Sequence, residues 1–138
     1  MNKNIIYLTR RERFSSAHKL ENKNISDKEN EKLFGKCLTL HGHNYELFVT
    51  VKGNIKQKDG FVCDLKKLSS VVKKNIINKL DHQFINNVDF MKGEIASTEN
   101  LCVFIWQELE KKINSELNCQ LHCVKIHETE NNIFEYFG

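Results

Sequence analysis

From His43 to Lys52 the residues alternate without a break: His43, Tyr45, Leu47, Val49 and Val51 fall on one face, and Asn44, Glu46, Phe48, Thr50 and Lys52 on the other. A period of two belongs to a half-buried strand, so the rest of the chain has to cover the apolar face. Two segments have the periodicity to do so. Leu65, Leu68, Val72, Ile76 and Leu80 recur at three- and four-residue steps behind Asp64, a good N-cap, which predicts an amphipathic helix over 65–80. Leu101, Phe104, Ile105, Leu109 and Ile113 form a second stripe, in a helix that starts after Ser97-Thr98 and runs to about Glu116.

Further strands are expected on either side of these elements. Tyr7 to Ala17 suits a strand, with His18 at its end. The tail alternates Leu121, Cys123, Lys125 and His127 against His122, Val124, Ile126 and Glu128, turns at Asn131-Asn132, and finishes in Ile133 to Phe137. Glu21 to Lys32 is charged and Asn-rich and reads as a loop, with a helical turn after Ser26, where Ser26 and Glu29 have capping-box spacing. Strands flanking two consecutive helices argue for an α+β fold, an antiparallel four-stranded sheet with two helices packed on one face. At 138 residues the chain fits one domain, 1–138.

Composition narrows the function. Lys plus Arg total 21 against 18 Asp plus Glu, a net charge of +3, and the basic residues are scattered, which argues against nucleic acid as a partner. The mild positive field suits a polyanionic small molecule such as a phosphate ester. Five cysteines, an odd number, and a Met1–Ile6 segment too short in apolar residues for a secretory leader point to a reducing, cytoplasmic compartment. No apolar run approaches the roughly 20 residues of a membrane span.

The chemistry gathers on histidines. His41 and His43 lie two apart at the start of a strand, so their side chains leave one face with Cα atoms roughly 6.6 Å apart, and Gly42 between them clears a side chain from the strand's mouth. If the strand that ends at His18 pairs with this one, a third imidazole arrives. Three neutral imidazoles leave an open fourth position on Zn²⁺, the arrangement of a catalytic site. Set against this, H-G-H alone is weak evidence, and each histidine has an ordinary surface or core reading. Cys37, four residues before His41, has three readings: a fourth ligand closing a structural site, a nucleophile or base whose thiolate a neighbouring cation and Lys36 favour, or an inert buried thiol. Cys63, Cys102, Cys119 and Cys123 read as small apolar filler, although the spacing of Cys119 and Cys123 on one strand also suits metal. Asp81-His82 is an adjacent carboxylate and imidazole suited to proton transfer, and such dipeptides are common and usually solvated. Glu128 can accept two parallel N–H bonds from a guanidine-like edge, or be a solvated strand charge.

Phe14-Ser15-Ser16-Ala17-His18, Leu33-Phe34-Gly35-Lys36-Cys37, His41-Gly42-His43-Asn44-Tyr45, Leu80-Asp81-His82, Ser97-Thr98-Glu99-Asn100-Leu101 and Glu128-Thr129-Glu130-Asn131-Asn132-Ile133, in this order, resemble the 6-pyruvoyltetrahydropterin synthase family, which includes the 6-carboxytetrahydropterin synthases of queuosine biosynthesis. The resemblance spans almost the whole chain. It implies a T-fold subunit whose sheet joins those of its neighbours into a barrel, commonly a homohexamer built as a dimer of trimers, with active sites at subunit interfaces. It further implies Zn²⁺ on His18, His41 and His43, Cys37 as the proton-abstracting base, Asp81 and His82 as its relay, Glu128 as the anchor of the pterin ring, and Ser97 and Thr98 in the pterin pocket. The substrate implied is 7,8-dihydroneopterin triphosphate, and no nicotinamide is expected, in keeping with the lack of a Gly-rich dinucleotide fingerprint.

Within that family the features divide. The four-residue step from Cys37 to His41 is that of the 6-carboxy enzymes, whereas the Leu33–Cys37 and Glu128–Ile133 blocks resemble the 6-pyruvoyl branch. With two blocks against one loop length, the reading is a zinc-dependent lyase that forms 6-pyruvoyl-tetrahydropterin by eliminating triphosphate, a loop deletion being easily accommodated. The alternatives are 6-carboxy-5,6,7,8-tetrahydropterin synthase at the same site, an aldolase acting on dihydroneopterin, and a non-catalytic zinc-binding module.

Overall fold

In the computed structural model, which describes residues 4–138, five strands form one sheet in the order β3-β1-β2-β4-β5. The expectation about a secretory leader rests on Met1–Ile6, and residues 1–3 of that segment lie outside those described. β1 (Ile5–His18) and β2 (His41–Asn54) are antiparallel along their whole length, from Ile5 opposite Asn54 to His18 opposite His41. β4 (Gln120–His127) joins the far edge of β2, and β5 (Ile133–Tyr136) joins β4, both antiparallel.

The four expected strands are present, but the sheet is neither four-stranded nor purely antiparallel. β3 (Gln83–Phe84) runs parallel to β1, pairing Gln83 with Ser16 and Phe84 with Ala17. Two residues leave no periodicity to read. Their placement comes from elsewhere: the His82 N–H donates to Ser15 O at 2.7 Å, and the Ser15 N–H donates to an Asp81 carboxylate oxygen at 2.9 Å.

The Glu21–Lys32 segment is more than a loop. Helix α1 (Asp27–Phe34) starts with a complete capping box: Ser26 Oγ accepts the Glu29 N–H, and the Glu29 carboxylate accepts the Ser26 N–H. Its one buried residue is Asn30, so an apolar stripe never announced it.

The helix expected over 65–80 is interrupted. α2 (Leu65–Val72) is capped by the Asp64 carboxylate, which accepts from Lys66 and Lys67, and a π-helical turn (Lys73–Ile77) then leads into α3 (Asn78–Leu80). At this turn the buried Asn75 donates to Val71 O and accepts from Lys112 Nζ. Leu68, Val72, Ile76 and Leu80 are fully buried, whereas Leu65, beside the cap, is exposed and Val71 enters the core in its stead. α4 (Thr98–Glu116) begins where expected, with Leu101, Ile105, Leu109 and Ile113 buried. These residues share one apolar cluster with Tyr45, Leu47, Val49 and Val51 of β2, which sets both long helices on the apolar face of the sheet, an α+β arrangement.

The tail also departs from strict alternation. Thr50 pairs with Cys123 but Val51 pairs with Leu121, so His122 is the extra residue of a β-bulge. The bulge turns Leu121 to the same side as Val124 and Ile126, and all three join the core. Among the described residues, no helix is long and apolar enough to cross a membrane.

Candidate metal centre

Pairing of β1 with β2 brings the three histidines together. His18 is opposite His41, and Ser16 is opposite His43, so the imidazoles of all three converge at one end of the sheet. Each offers one ring nitrogen, and those three nitrogens lie within 4.8 Å of one another. A tetrahedral ion with Zn–N near 2.05 Å needs ligand nitrogens about 3.3 Å apart, so modest side-chain rotation closes the set. The approach of the two strands depends on Gly42, where a Cβ would meet Ser16 O at 3.1 Å.

Main-chain carbonyls orient two of the rings. His18 Nδ1 lies 2.8 Å from Ala96 O, and His41 Nδ1 lies 2.7 Å from Thr39 O. A carbonyl only accepts, so in both rings Nδ1 carries the proton and Nε2 keeps its lone pair. His18 is 2 % exposed, and its Nε2 and that of His43 are buried without a hydrogen-bond partner. Buried polar atoms are rarely left so, and two of them facing one point fit a metal cation. Burial lowers the basicity of His18, with the nearby His41 and His43 adding to this and the Ala96 carbonyl opposing it. Burial likewise lowers that of His43, opposed by the Glu128 carboxylate. Both shifts favour neutral imidazole, the form that binds metal.

Residues 96–98 serve three functions in a row. Ala96 O holds His18, Ser97 Oγ caps α4 by accepting the Asn100 N–H, and the Thr98 hydroxyl donates to the Glu128 carboxylate. Thr98 is buried, and Glu128 stands just past the end of β4, held by its own N–H to Asn132 O across a turn tied by Thr129 Oγ1. Tyr45 lies close by, stacked on Phe14 with its ring edge-on to His18 and His43. Burial pushes its phenol well above the usual tyrosine range, and the Glu128 charge adds to the effect.

A cavity of about 780 Å³ runs beside this region, with Ser15, His43, Tyr45, Asp81 and Glu128 in its lining. A second, of about 510 Å³, has His43 and His82 on its walls. Asp81 and His82 do form a pair, Asp81 Oδ2 to His82 Nδ1 at 3.0 Å, and the Ser15 N–H together with His82 holds the Asp81 carboxyl below the usual carboxylate range. His82 adopts φ +58° and is largely exposed.

Cys37 belongs to neither cavity lining nor the histidine group. It sits exposed in a 3₁₀ turn (Gly35–Leu38), its carbonyl accepting the Leu20 N–H at 2.8 Å. The other four cysteines are buried and unpaired, as filler would be, with Cys102 and Cys119 pushed up to about 12 by burial. The structure thus gathers His18, His41, His43, Thr98 and Glu128, connects Asp81 and His82 to the same cavities, uses Ser97 as a cap, and leaves Cys37 outside. Tyr45 joins the site as well, and its mark in the sequence is its place two residues after His43, on the same strand face. The carbonyls of Thr39 and Ala96 have no sequence mark at all.

Comparison with known proteins agrees with this geometry. The profile of the 6-pyruvoyl tetrahydropterin synthase family matches residues 7–138. A 6-pyruvoyl tetrahydrobiopterin synthase of Dictyostelium discoideum is 42% identical over 134 residues, covering 96% of both chains. The solved 6-pyruvoyl tetrahydropterin synthase of Caenorhabditis elegans superposes with a TM-score of 0.91 at 34% identity, over 100% of this chain and 99% of that one. The 6-carboxy-5,6,7,8-tetrahydropterin synthase of Haemophilus influenzae is 44% identical, but over only 54 residues, 37% of this chain and 38% of its own. This chain belongs to the 6-pyruvoyl tetrahydropterin synthase family.

Proposed function

We propose that this chain is a zinc-dependent lyase that converts 7,8-dihydroneopterin triphosphate to 6-pyruvoyl-tetrahydropterin with elimination of triphosphate. The observation that carries the reading is the pair of buried, unpartnered Nε2 atoms of His18 and His43 grouped with His41, within reach of the Thr98–Glu128 pair. Likeness along nearly the full length to proteins named 6-pyruvoyl tetrahydrobiopterin synthase supports the product.

His18, His41 and His43 would hold Zn²⁺, and three ligands leave a coordination position for substrate. When bound, the ion supplies Lewis acidity that weakens the C–H bonds beside the hydroxyls of the substrate side chain. Glu128 accepts two N–H bonds from the guanidine-like edge of the pterin, with Thr98 fixing the orientation of its carboxylate. Ser97 acts through its cap, which sets where Thr98 stands. Cys37 takes a side-chain proton as thiolate, and His82, oriented by Asp81, moves protons to and from the substrate. As the carbon–oxygen bond to triphosphate breaks, internal redox transfer reduces the ring and oxidises the side chain, so no external reductant is consumed.

The exposed position of Cys37, outside the lining of both cavities, supports a homo-oligomer, a hexamer of two trimers, in which a neighbouring subunit completes the site. Leu33 and Leu40 on either side of it are 65% and 60% exposed, apolar surface that an interface would cover. Five unpaired cysteines support a reducing, cytoplasmic setting.

The step of four residues from Cys37 to His41 favours a second reading, 6-carboxy-5,6,7,8-tetrahydropterin synthase, which would use the same residues and also release a two-carbon aldehyde. Anaerobic incubation of the zinc-loaded protein with 7,8-dihydroneopterin triphosphate, followed by mass spectrometry of the pterins, separates the two. A 6-pyruvoyl product supports the proposal; a 6-carboxy product with the aldehyde replaces it with the second reading. A pterin that retains triphosphate indicates an aldolase, and unchanged substrate leaves a zinc-binding module.

A further inference from the structure

The end of β1 that delivers His18 is held by a side chain that no motif included. Asn86, in the 3₁₀ turn (Ile85–Asn87) after β3, makes two hydrogen bonds to the main chain of Lys19, the residue after His18. Its Oδ1 accepts the Lys19 N–H at 3.1 Å, and its Nδ2 donates to Lys19 O at 2.9 Å.

A carboxamide presents the same acceptor and donor as a peptide unit. β3 pairs with β1 through Gln83 and Phe84 and then turns away, so its own main chain no longer follows β1. The Asn86 amide takes over where that pairing stops. Ile85, fully buried, fixes where Asn86 stands. On the next residue of the β1 end, the Leu20 N–H is bound to Cys37 O. The backbone just past His18 is therefore fixed at two successive residues, while its ring is fixed by Ala96 O. A metal ligand loses affinity when the groups that orient it are removed, even though the ligand itself remains.

We infer that Asn86 is a positioning residue for the metal: it acts through the Lys19 backbone to hold His18 Nε2 in the geometry that His41 and His43 require. This rests on the zinc reading above. The same chain contains a control, because Asn30 makes the same two-bond clamp on Asn22, accepting from its N–H at 2.8 Å and donating to its carbonyl at 2.9 Å, and neither residue belongs to the metal group.

The test is Zn²⁺ affinity of the full chain, measured by competition with a chromophoric chelator, with the Co²⁺ absorption spectrum as a report on ligand geometry. Asn86→Ala is expected to weaken Zn²⁺ about 10- to 100-fold and to alter the Co²⁺ bands, while Asn30→Ala changes neither even if it lowers the melting temperature equally. Asn86→Asp, which keeps the acceptor for Lys19 N–H but has no donor for Lys19 O, is expected to fall between wild type and Asn86→Ala, and it serves if the alanine variant does not fold. Wild-type affinity in these Asn86 variants overturns the inference alone. Equal metal loss in Asn30→Ala also overturns it, since the effect would then be one of general stability. A wild-type chain that takes up no Zn²⁺ overturns the zinc reading and this inference with it.

Discussion

His18 and His41 face each other directly across the β1–β2 ladder, with ring centroids 4.6 Å apart and planes at 63°. Cross-strand register, not sequence proximity, therefore brings the third imidazole to the H-G-H pair. Binding to the folded state alone stabilises a protein by about 2.7 kcal/mol at a free ligand concentration of 100 Kd. Zn²⁺ at that level should raise the melting temperature of this 138-residue chain by roughly 9 °C, as seen by calorimetry. His41→Ala should abolish the increase while leaving the metal-free protein folded, because His41 is only half-buried.

Protonation should oppose both metal and fold. His18 and His43 have lowered basicity in the folded chain, so the unfolded chain binds more protons as pH falls below about 6.5. Stability of the metal-free protein should fall from that pH down to the lower folded values, then level off until carboxylates titrate. Asp81 acts in the more acidic window: its depressed value contributes stability above the ordinary carboxylate range and loses it as pH falls through the folded value. Chemical denaturation as a function of pH checks this, and His18→Phe should flatten the first window.

Much of this architecture can be read in the sequence because one physical cause dominates locally. β2 alternates because one face is core, and α4 repeats every three or four residues for the same reason. Elsewhere the cause is tertiary. β3 exists through its pairing with β1, and the His122 bulge is hidden because Cys123 and Val124 are both apolar and both buried; α1 is local, its start marked by the Ser26–Glu29 capping box, but its length is not legible because Asn30 is its one buried residue. The histidines were legible since metal binding needs their chemistry at a strand spacing, whereas the Ala96 and Thr39 carbonyls belong to the backbone of any residue.

The two kinds of stabilisation should differ in magnitude. Leu109→Ala removes a fully buried side chain from the α4 stripe and should cost roughly 2–5 kcal/mol in urea denaturation. Ser26→Ala removes the capping hydroxyl of α1 and should cost about 1 kcal/mol.

Glu128→Gln keeps the shape of the side chain and loses its charge. With zinc content unchanged, kcat/KM for the pterin should fall about 30-fold, equivalent to the roughly 2 kcal/mol of a hydrogen bond to a charged group. Thr98→Val should act in the same direction, since its hydroxyl donates to that carboxylate.

Cys37→Ala separates base from ligand. Cys37 stands outside the histidine group, so this variant should retain stoichiometric zinc by elemental analysis and lose turnover on the order of 10²–10⁴-fold. Loss of zinc would make Cys37 a ligand and reverse the assignment.

Release of triphosphate from 7,8-dihydroneopterin triphosphate, followed by ³¹P NMR, tests most directly whether the histidine group is the centre of a lyase. The zinc-loaded protein should produce free inorganic triphosphate, the chelator-treated protein should not, and restored Zn²⁺ should recover the release. Equal release with and without zinc, or phosphorus signals that remain those of the ester in all three samples, would contradict the account.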